Sequence, residues 1–516
     1  MIPGHALRYP QAALATPHYL ASAAGAAVFA RGGNAIDAIV GANLALGVVA
    51  PYYCGYGGDI FAIVWDGELH GYLGSGRSPA AATIAAVRDA LGETPLLIGP
   101  HSVTVPGAIA GWFELLDRFG TMSFGELAVD AIRYARDGFS VTPLAGAASA
   151  GYRSFYRHFP EWQSVYGERT TGDLLVQEPL ARLIELLASG GPDAYYRGPA
   201  AQAIETTIAS YGGFMATSDL AAHAGRWAAP LVAPYRDVEI AELPPPTQGA
   251  VVLEIMRMLD GFDLRAMTPA DREHMVIEAV KLGLRDRDDH VSDPAAMRID
   301  PTDLLTDSWI DARRAAIDPA RAGVPAPGHP QRGGTAYLCA SDGDGLLVSL
   351  IQSNFLAFGS GIHVAEWGIN LNNRGSSFSL DESSVNALAP SKLPMHTLIP
   401  GMVLRDGTPE VVFGSMGGDA QAQIHAQLIT RIVDDGTDLQ AAIDAPRWRV
   451  EPWDWKVRME APFDSVVRAD LADRGHVIIE TPARESGMGH AHAIRVGPDG
   501  YAIATDPRAE GAAVGL

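Results

Sequence analysis

The hydrophobic pattern of this chain changes character along its length. Residues 20–30 are small and apolar at helical spacing, and Gly32-Gly33 suits a left-handed helix end. Asn34 can cap a second helix with Asp37 in its first turn, running to about residue 49, and Pro51 stops it. Both stretches are so rich in alanine that they must pack closely against something. A glycine-rich turn at 55–58 leads into an apolar strand at 60–65, and Asp66-Gly67 turns the chain into a returning strand at 68–73. Residues 106–208 read mostly as helix. Thr268 caps a further helix with Pro269 at its first position, running into a charged stretch near Asp289, and another helix covers 304–317. Pro319 then opens a loop to Gly334 with Gly323, Pro325, Pro327, Gly328, Pro330 and Gly333. This loop is expected to be exposed and poorly structured.

After the loop the pattern turns to strands. They are expected at 335–341 and 346–353, joined by a turn at 342–345, and at 401–404, 411–413, 477–480 and 490–496. A helix over 420–433 follows Gly417-Gly418. Helices first and strands with helices later predict α+β layers. The 516 residues correspond to about three domains at roughly 150 residues each, or to one large unit.

Composition narrows the function. Lys and Arg number 38 against 60 Asp and Glu, a net charge of −22, which opposes nucleic acid and anionic membranes as partners. Apolar residues are 47%, so the chain is not disordered. Two cysteines, Cys54 and Cys339, exclude a disulfide scaffold and a cysteine zinc site. No run approaches the ~18–20 apolar residues of a membrane helix, and residues 1–20 lack a basic start followed by an apolar stretch. The expectation is a cytoplasmic protein with no membrane contact.

Several groupings can carry chemistry. Gly55–Gly58 lacks the Lys-Ser/Thr of a phosphate loop, so a tight turn is the simpler reading. Asp286, Asp288, Asp289, His290 and Asp293 have metal-ligand character, yet Arg285 and Arg287 are interleaved, as in a solvated helix end. His490 and His492 share a strand face but lack an evident third ligand. Gly417 and Gly418, between a strand and a helix, can present two backbone N–H groups to an oxyanion. Thr335 opens a strand after Gly333-Gly334. Its hydroxyl becomes a useful nucleophile only with a base beside it. A cut before Thr335 would make its own α-amine, of pKa near ~8, that base.

These segments, in this order, resemble the gamma-glutamyltranspeptidase family of N-terminal-nucleophile hydrolases. The likeness is carried by Gly32-Gly33-Asn34-Ala35-Ile36-Asp37-Ala38, Gly47–Pro51 with Gly57-Gly58, Thr335–Leu338 with Asp344-Gly345, Phe358–Gly361, Gly368–Asn373, Gly414–Gly418 and Asp506-Pro507-Arg508. It spans nearly the whole chain. It implies a four-layer αββα fold made as one precursor and cut between Gly334 and Thr335, giving a large subunit of 1–334 and a small one of 335–516 that together form one domain. Thr335 would be the nucleophile, Gly417 and Gly418 the oxyanion donors, and Ser353 the hydroxyl beside the nucleophile. No cofactor or metal is implied. A homodimer of these heterodimers is compatible with it.

The departures concern the substrate. Where the transpeptidases hold the glutamyl α-amine with Asn, Gln or Glu, and Asp, this chain has Phe355, Arg374 and Ser377. The family's paired serines, which hold the donor carboxylate, fall at His396 and Thr397, and its carboxylate-binding Arg has no counterpart at the same offset, Arg77 being shifted. The segment between Phe378 and Pro394 is shorter than in enzymes with a closing lid, so an open site is expected. A guanidinium suits a carboxylate and opposes an ammonium. The expectation is an amidohydrolase or acyltransferase acting on a small carboxylate-bearing acyl group, closer to oxamate amidohydrolase and the glutaryl-type cephalosporin acylases than to the glutathione enzymes. A true gamma-glutamyl transferase, an uncut pseudoenzyme that binds small acids, and a metal amidase are the alternatives.

Overall fold

The computed structural model describes residues 4–326, 328 and 333–516. Two seven-stranded antiparallel sheets lie at its centre. The first runs Ala512–Gly515, Ala13–Thr16, Gly334–Ser341, Leu347–Phe355, Asp59–Trp65, Leu69–Gly74, Arg226–Ala228. The second runs Leu7–Tyr9, Gly500–Thr505, Ala491–Gly497, Thr408–Ser415, Gly401–Arg405, Val238–Glu242, Leu231–Tyr235.

Strand alternation sorts side chains into layers. Tyr337, Cys339, Phe61, Ile63 and Ile351 of the first sheet meet Met402, Val412 and Ile494 of the second in one core. Ala336, Leu338 and Ala340 point the other way, under the helices Tyr19–Ala30, Ala35–Val49 and Ala108–Phe119. The far face of the second sheet is covered by Gly249–Asp260, Pro269–His290 and Ala420–Ile429. The result is the expected αββα sandwich. Its alanine-rich helices pack as anticipated. Asn34 and Asp37 form a reciprocal capping box, every residue of Ala35–Val49 is buried, and a Cβ on Gly25 would collide with Leu14.

Three expectations are refined. The 477–480 strand exists as Ile478–Thr481, but in a separate three-stranded sheet. The 420–433 helix is α-helical only to Ile429, and Thr430–Asp434 is a π-helical turn. The loop after Pro319 is pinned along its described part. His274 Nε2 meets the Asp318 carbonyl at 2.8 Å, and Lys281 donates to the Gly323 carbonyl at 2.9 Å. Trp455 holds the Pro325 carbonyl, and Gly328 donates to Pro452. Pro327 and Pro330 lie outside the described residues.

Candidate active site

The end of the first sheet gathers three polar side chains on its inward face. Ser353 and Asp59 are direct cross-strand partners. Thr335 lies opposite Ser353, where the ladder between Gly334 and Ala336 carries a bulge. Thr335 is 1% exposed, and its Oγ1 donates to Ser353 Oγ at 3.3 Å. Ser353 Oγ donates in turn to the Gly334 carbonyl at 2.5 Å and accepts from the Phe355 N–H at 2.7 Å. One hydroxyl therefore contacts both the Thr335 side chain and the carbonyl of the Gly334–Thr335 peptide bond. Phe355 and Ala357 have φ of +77° and +44°, so strained backbone is concentrated beside that bond.

Gly333 and Gly334 line a cleft of about 440 Å³ together with Gly417, Tyr52 and Tyr53. Its mouth carries Arg449 and Arg458, both paired with the single Glu451. Gly417 and Gly418 adopt φ of +149° and +58°, the left-handed range that glycine alone enters freely. Gln248 braces this turn. Its Nε2 donates to the carbonyls of Gly418, at 3.2 Å, and Thr397, at 2.9 Å, and its Oε1 accepts from Arg287, which pairs with Asp419.

Against Phe355 lies a buried charged cluster. The Arg374 guanidinium sits 3.8 Å from the Phe355 ring centroid and donates through Nη1 to Thr397 Oγ1 at 3.4 Å. It is fully buried, yet its Nε and Nη2 have no hydrogen-bond partner. Asn372 fixes its backbone, accepting from the Arg374 N–H while donating to Gly57 and Thr104. Burial brings the guanidinium down to about 9, against the opposing pull of Asp59. Burial likewise pushes the Asp59 carboxyl up to about 7. His396 Nε2 meets Asp59 Oδ2 at 3.0 Å, and burial holds this imidazole neutral, well below its ordinary range.

The chain matches the gamma-glutamyltranspeptidase family over residues 21–516. It belongs to that family. It is 36% identical to the oxamate amidohydrolase proenzyme of Klebsiella pneumoniae, over 97% of each chain. It is 35% identical to the glutathione hydrolase-like YwrD proenzyme of Bacillus subtilis, over 97% of this chain and 98% of that one. The crystal structure of the cephalosporin acylase from Bacillus halodurans superposes with a TM-score of 0.93 at 35% identity, covering 99% of this chain and 97% of the other. The protein is thus an enzyme of the N-terminal-nucleophile hydrolase class, with amidohydrolase and acylase relatives.

Within this gamma-glutamyltranspeptidase-family fold, Thr335, Ser353 and Gly334 are joined by hydrogen bonds, Gly334 shares a cleft with Gly417, and Phe355, Arg374, His396 and Thr397 form a buried cluster. Gly418 follows Gly417 in the same turn, but Ser377 and Arg77 are not brought there. Ser377 spends its hydroxyl on the carbonyls of Arg374 and Met395. Arg77 is half exposed, pairs with Asp293 and lines a different cleft, of about 570 Å³. The acidic run is a solvated helix end only at the surface pair Arg285–Asp289. Asp286 binds Arg313 through both oxygens at 2.6 and 2.7 Å, and Arg287 is buried between Asp288 and Asp419. His490 and His492 hydrogen-bond to Ser486 and Thr505. Among the described residues, the one grouping of metal-ligand type is His274, Glu278 and His476, and the Lys281 ammonium already sits on it, 2.8 Å from Glu278.

Sequence reasoning gave no role to Asp59 or Gln248. Asp59 had a signal, a charge opening an otherwise apolar strand directly after Gly57-Gly58. Those glycines allow close approach, since a Cβ on Gly58 would press on the Ser353 carbonyl and Asn354 Oδ1. Gln248 had none, because its partners are distant in the chain.

Proposed function

We propose that the protein is a self-processing amidohydrolase that removes a small, carboxylate-bearing acyl group from an amine. Arg374 carries this reading. The Nε and Nη2 of a guanidinium form one bidentate edge, and elsewhere in this chain Arg313 uses that edge to hold both oxygens of Asp286. In Arg374 the same edge is buried and unpaired. A buried charged donor without a partner is costly, and a ligand carboxylate is the group that completes it.

Maturation begins with Thr335 Oγ adding to the Gly334 carbonyl carbon. Its proton passes through Ser353 toward the peptide nitrogen, the C–N bond breaks, and an ester forms. Water cleaves the ester, leaving a Gly334 carboxylate and a free Thr335 amine. In turnover, Thr335 Oγ attacks the substrate amide and the α-amine takes its proton and returns it to the leaving amine. The oxyanion points at the Gly417 and Gly418 N–H groups, and water resolves the acyl-enzyme. Residues 1–334 and 335–516 are then two subunits of one domain. Ser353→Ala is expected to slow the appearance of the two fragments about 10–100-fold, in line with loss of a positioned proton-transfer group, while Ser353→Thr restores it. A time course of denaturing gels checks this.

The substrate reading is tested by paired amides of one chromogenic amine. Oxalyl and glutaryl amides, whose acyl groups each carry a free carboxylate, are expected to exceed the gamma-glutamyl amide in kcat/KM by at least about tenfold, since the α-ammonium meets a buried guanidinium. A preference for the gamma-glutamyl amide would overturn it.

A further inference from the structure

The buried cluster against Phe355 balances one carboxylate against one guanidinium, and an added anion breaks that balance. The charges that face Asp59 are the Arg374 guanidinium and the neutral His396. The hydroxyls of Tyr195 and Tyr196 also face it, held protonated by burial. One carboxylate thus stands against one guanidinium, with all side chains buried. Yet Asp59 makes no hydrogen bond to the unpaired edge of Arg374. It is held by the His396 Nε2 contact at 3.0 Å and by the Gly76 N–H at 3.4 Å. A substrate carboxylate on Arg374 therefore adds an uncompensated negative charge beside an existing one, at a site remote from water. Two carboxylates sharing one cation are relieved most cheaply by a proton.

The pair is built to take one. His396 Nδ1 is a fully buried acceptor with no partner, while Nε2 already meets Asp59. We propose that the Asp59–His396 pair takes up one proton when an anionic acyl group docks on Arg374, and so selects acyl groups with a single negative charge. The proposal rests on the assignment of Arg374 above. The proton enters at Nδ1, and the Nε2 proton passes to Asp59 Oδ2. The pair goes from one negative charge to none, and Nδ1 becomes a donor. No bond between heavy atoms changes. The Asp59 carboxyl, already raised to about 7, is poised for this transfer.

Pyruvate and levulinate, two singly charged keto acids, are the probes, with butan-2-one as the neutral control. Their binding is measured calorimetrically in buffers of different ionisation enthalpy. Near pH ~8 the keto acids are expected to bind with uptake approaching one proton, and their Kd to rise about tenfold per pH unit above pH ~7. Butan-2-one is expected to bind without that uptake, which separates the effect from the Thr335 amine. Asp59→Asn, which mimics the protonated pair, should abolish the uptake and flatten the pH dependence. Anion-selective binding with no proton uptake, in the unaltered enzyme or as an unchanged slope in Asp59→Asn, would overturn the proposal and leave Arg374 standing. Keto acids binding no better than butan-2-one would instead count against the Arg374 assignment itself. The proton count on the unaltered enzyme decides the question even if Asp59→Asn does not fold.

Discussion

A Thr335→Ala protein is expected to persist as one uncut chain of 516 residues with amide turnover reduced by at least about 10⁴-fold. Two functions disappear together. The precursor loses the hydroxyl that attacks Gly334, and the enzyme loses the nucleophile whose own amine is its base. The fold should survive, because Thr335 donates only one hydrogen bond, to Ser353, and the ladder partners on either side remain. Thr335→Ser, which keeps the hydroxyl, should still be cut and still turn over substrate. Intact mass and N-terminal sequencing check both. A single-chain Thr335→Ala protein with undiminished turnover would remove Thr335 from the mechanism, and an uncut but active parent would remove the processing step.

How much of this could be read from the sequence depended on how local each signal was. The two alanine-rich helices, the Asn34 cap and the Thr268-Pro269 helix start were legible because a cap and a period are local properties. So were the strands at 335–341 and 346–353. Ala13–Thr16 and Val238–Glu242 were missed. Each is four or five residues long and packed from both sides, so no clean alternation marks it. The loop after Pro319 lacks regular structure along its described part, as expected. What its proline and glycine content cannot show is the hold on those described residues by His274, Lys281 and Trp455, remote in sequence.

The site divides in the same way. The Thr335 step and the glycine turn were visible as ordered motifs. The pairing of Arg374 with Thr397 and the position of Asp59 against His396 were not, because they depend on cross-strand register and on the chain folding back from residues 372–397. Arg77 shows the limit from the other side. It lies in a suggestive motif, but its strand end delivers it to a different cleft.

The sharpest test of substrate chemistry is Arg374→Ala. For amides with a carboxylate on the acyl group, kcat/KM is expected to fall by about 30- to 1000-fold, corresponding to about 2–4 kcal/mol for one side of a buried, hydrogen-bonded charge pair. For a neutral acyl amide of similar size the loss should stay within about threefold, since no ligand group loses a partner. Arg374→Lys should fall between, because an ammonium is a point charge and cannot span both oxygens. A purely structural Arg374 would depress both substrates alike. Stability provides an independent readout. The Asp59 carboxyl is raised to about 7 in the fold, so the folded chain keeps that proton to higher pH than the unfolded one, and stability declines as pH rises from ~4 through 7. Arg374 is the charge that opposes this rise. Without it the carboxyl moves higher still, and the decline extends further into the alkaline range. Thermal melts should therefore separate Arg374→Ala from the parent more at pH ~8 than at pH ~5, and adding Asp59→Asn should narrow that gap. Equal separation at both pH values would mean that the two charges do not share a pocket.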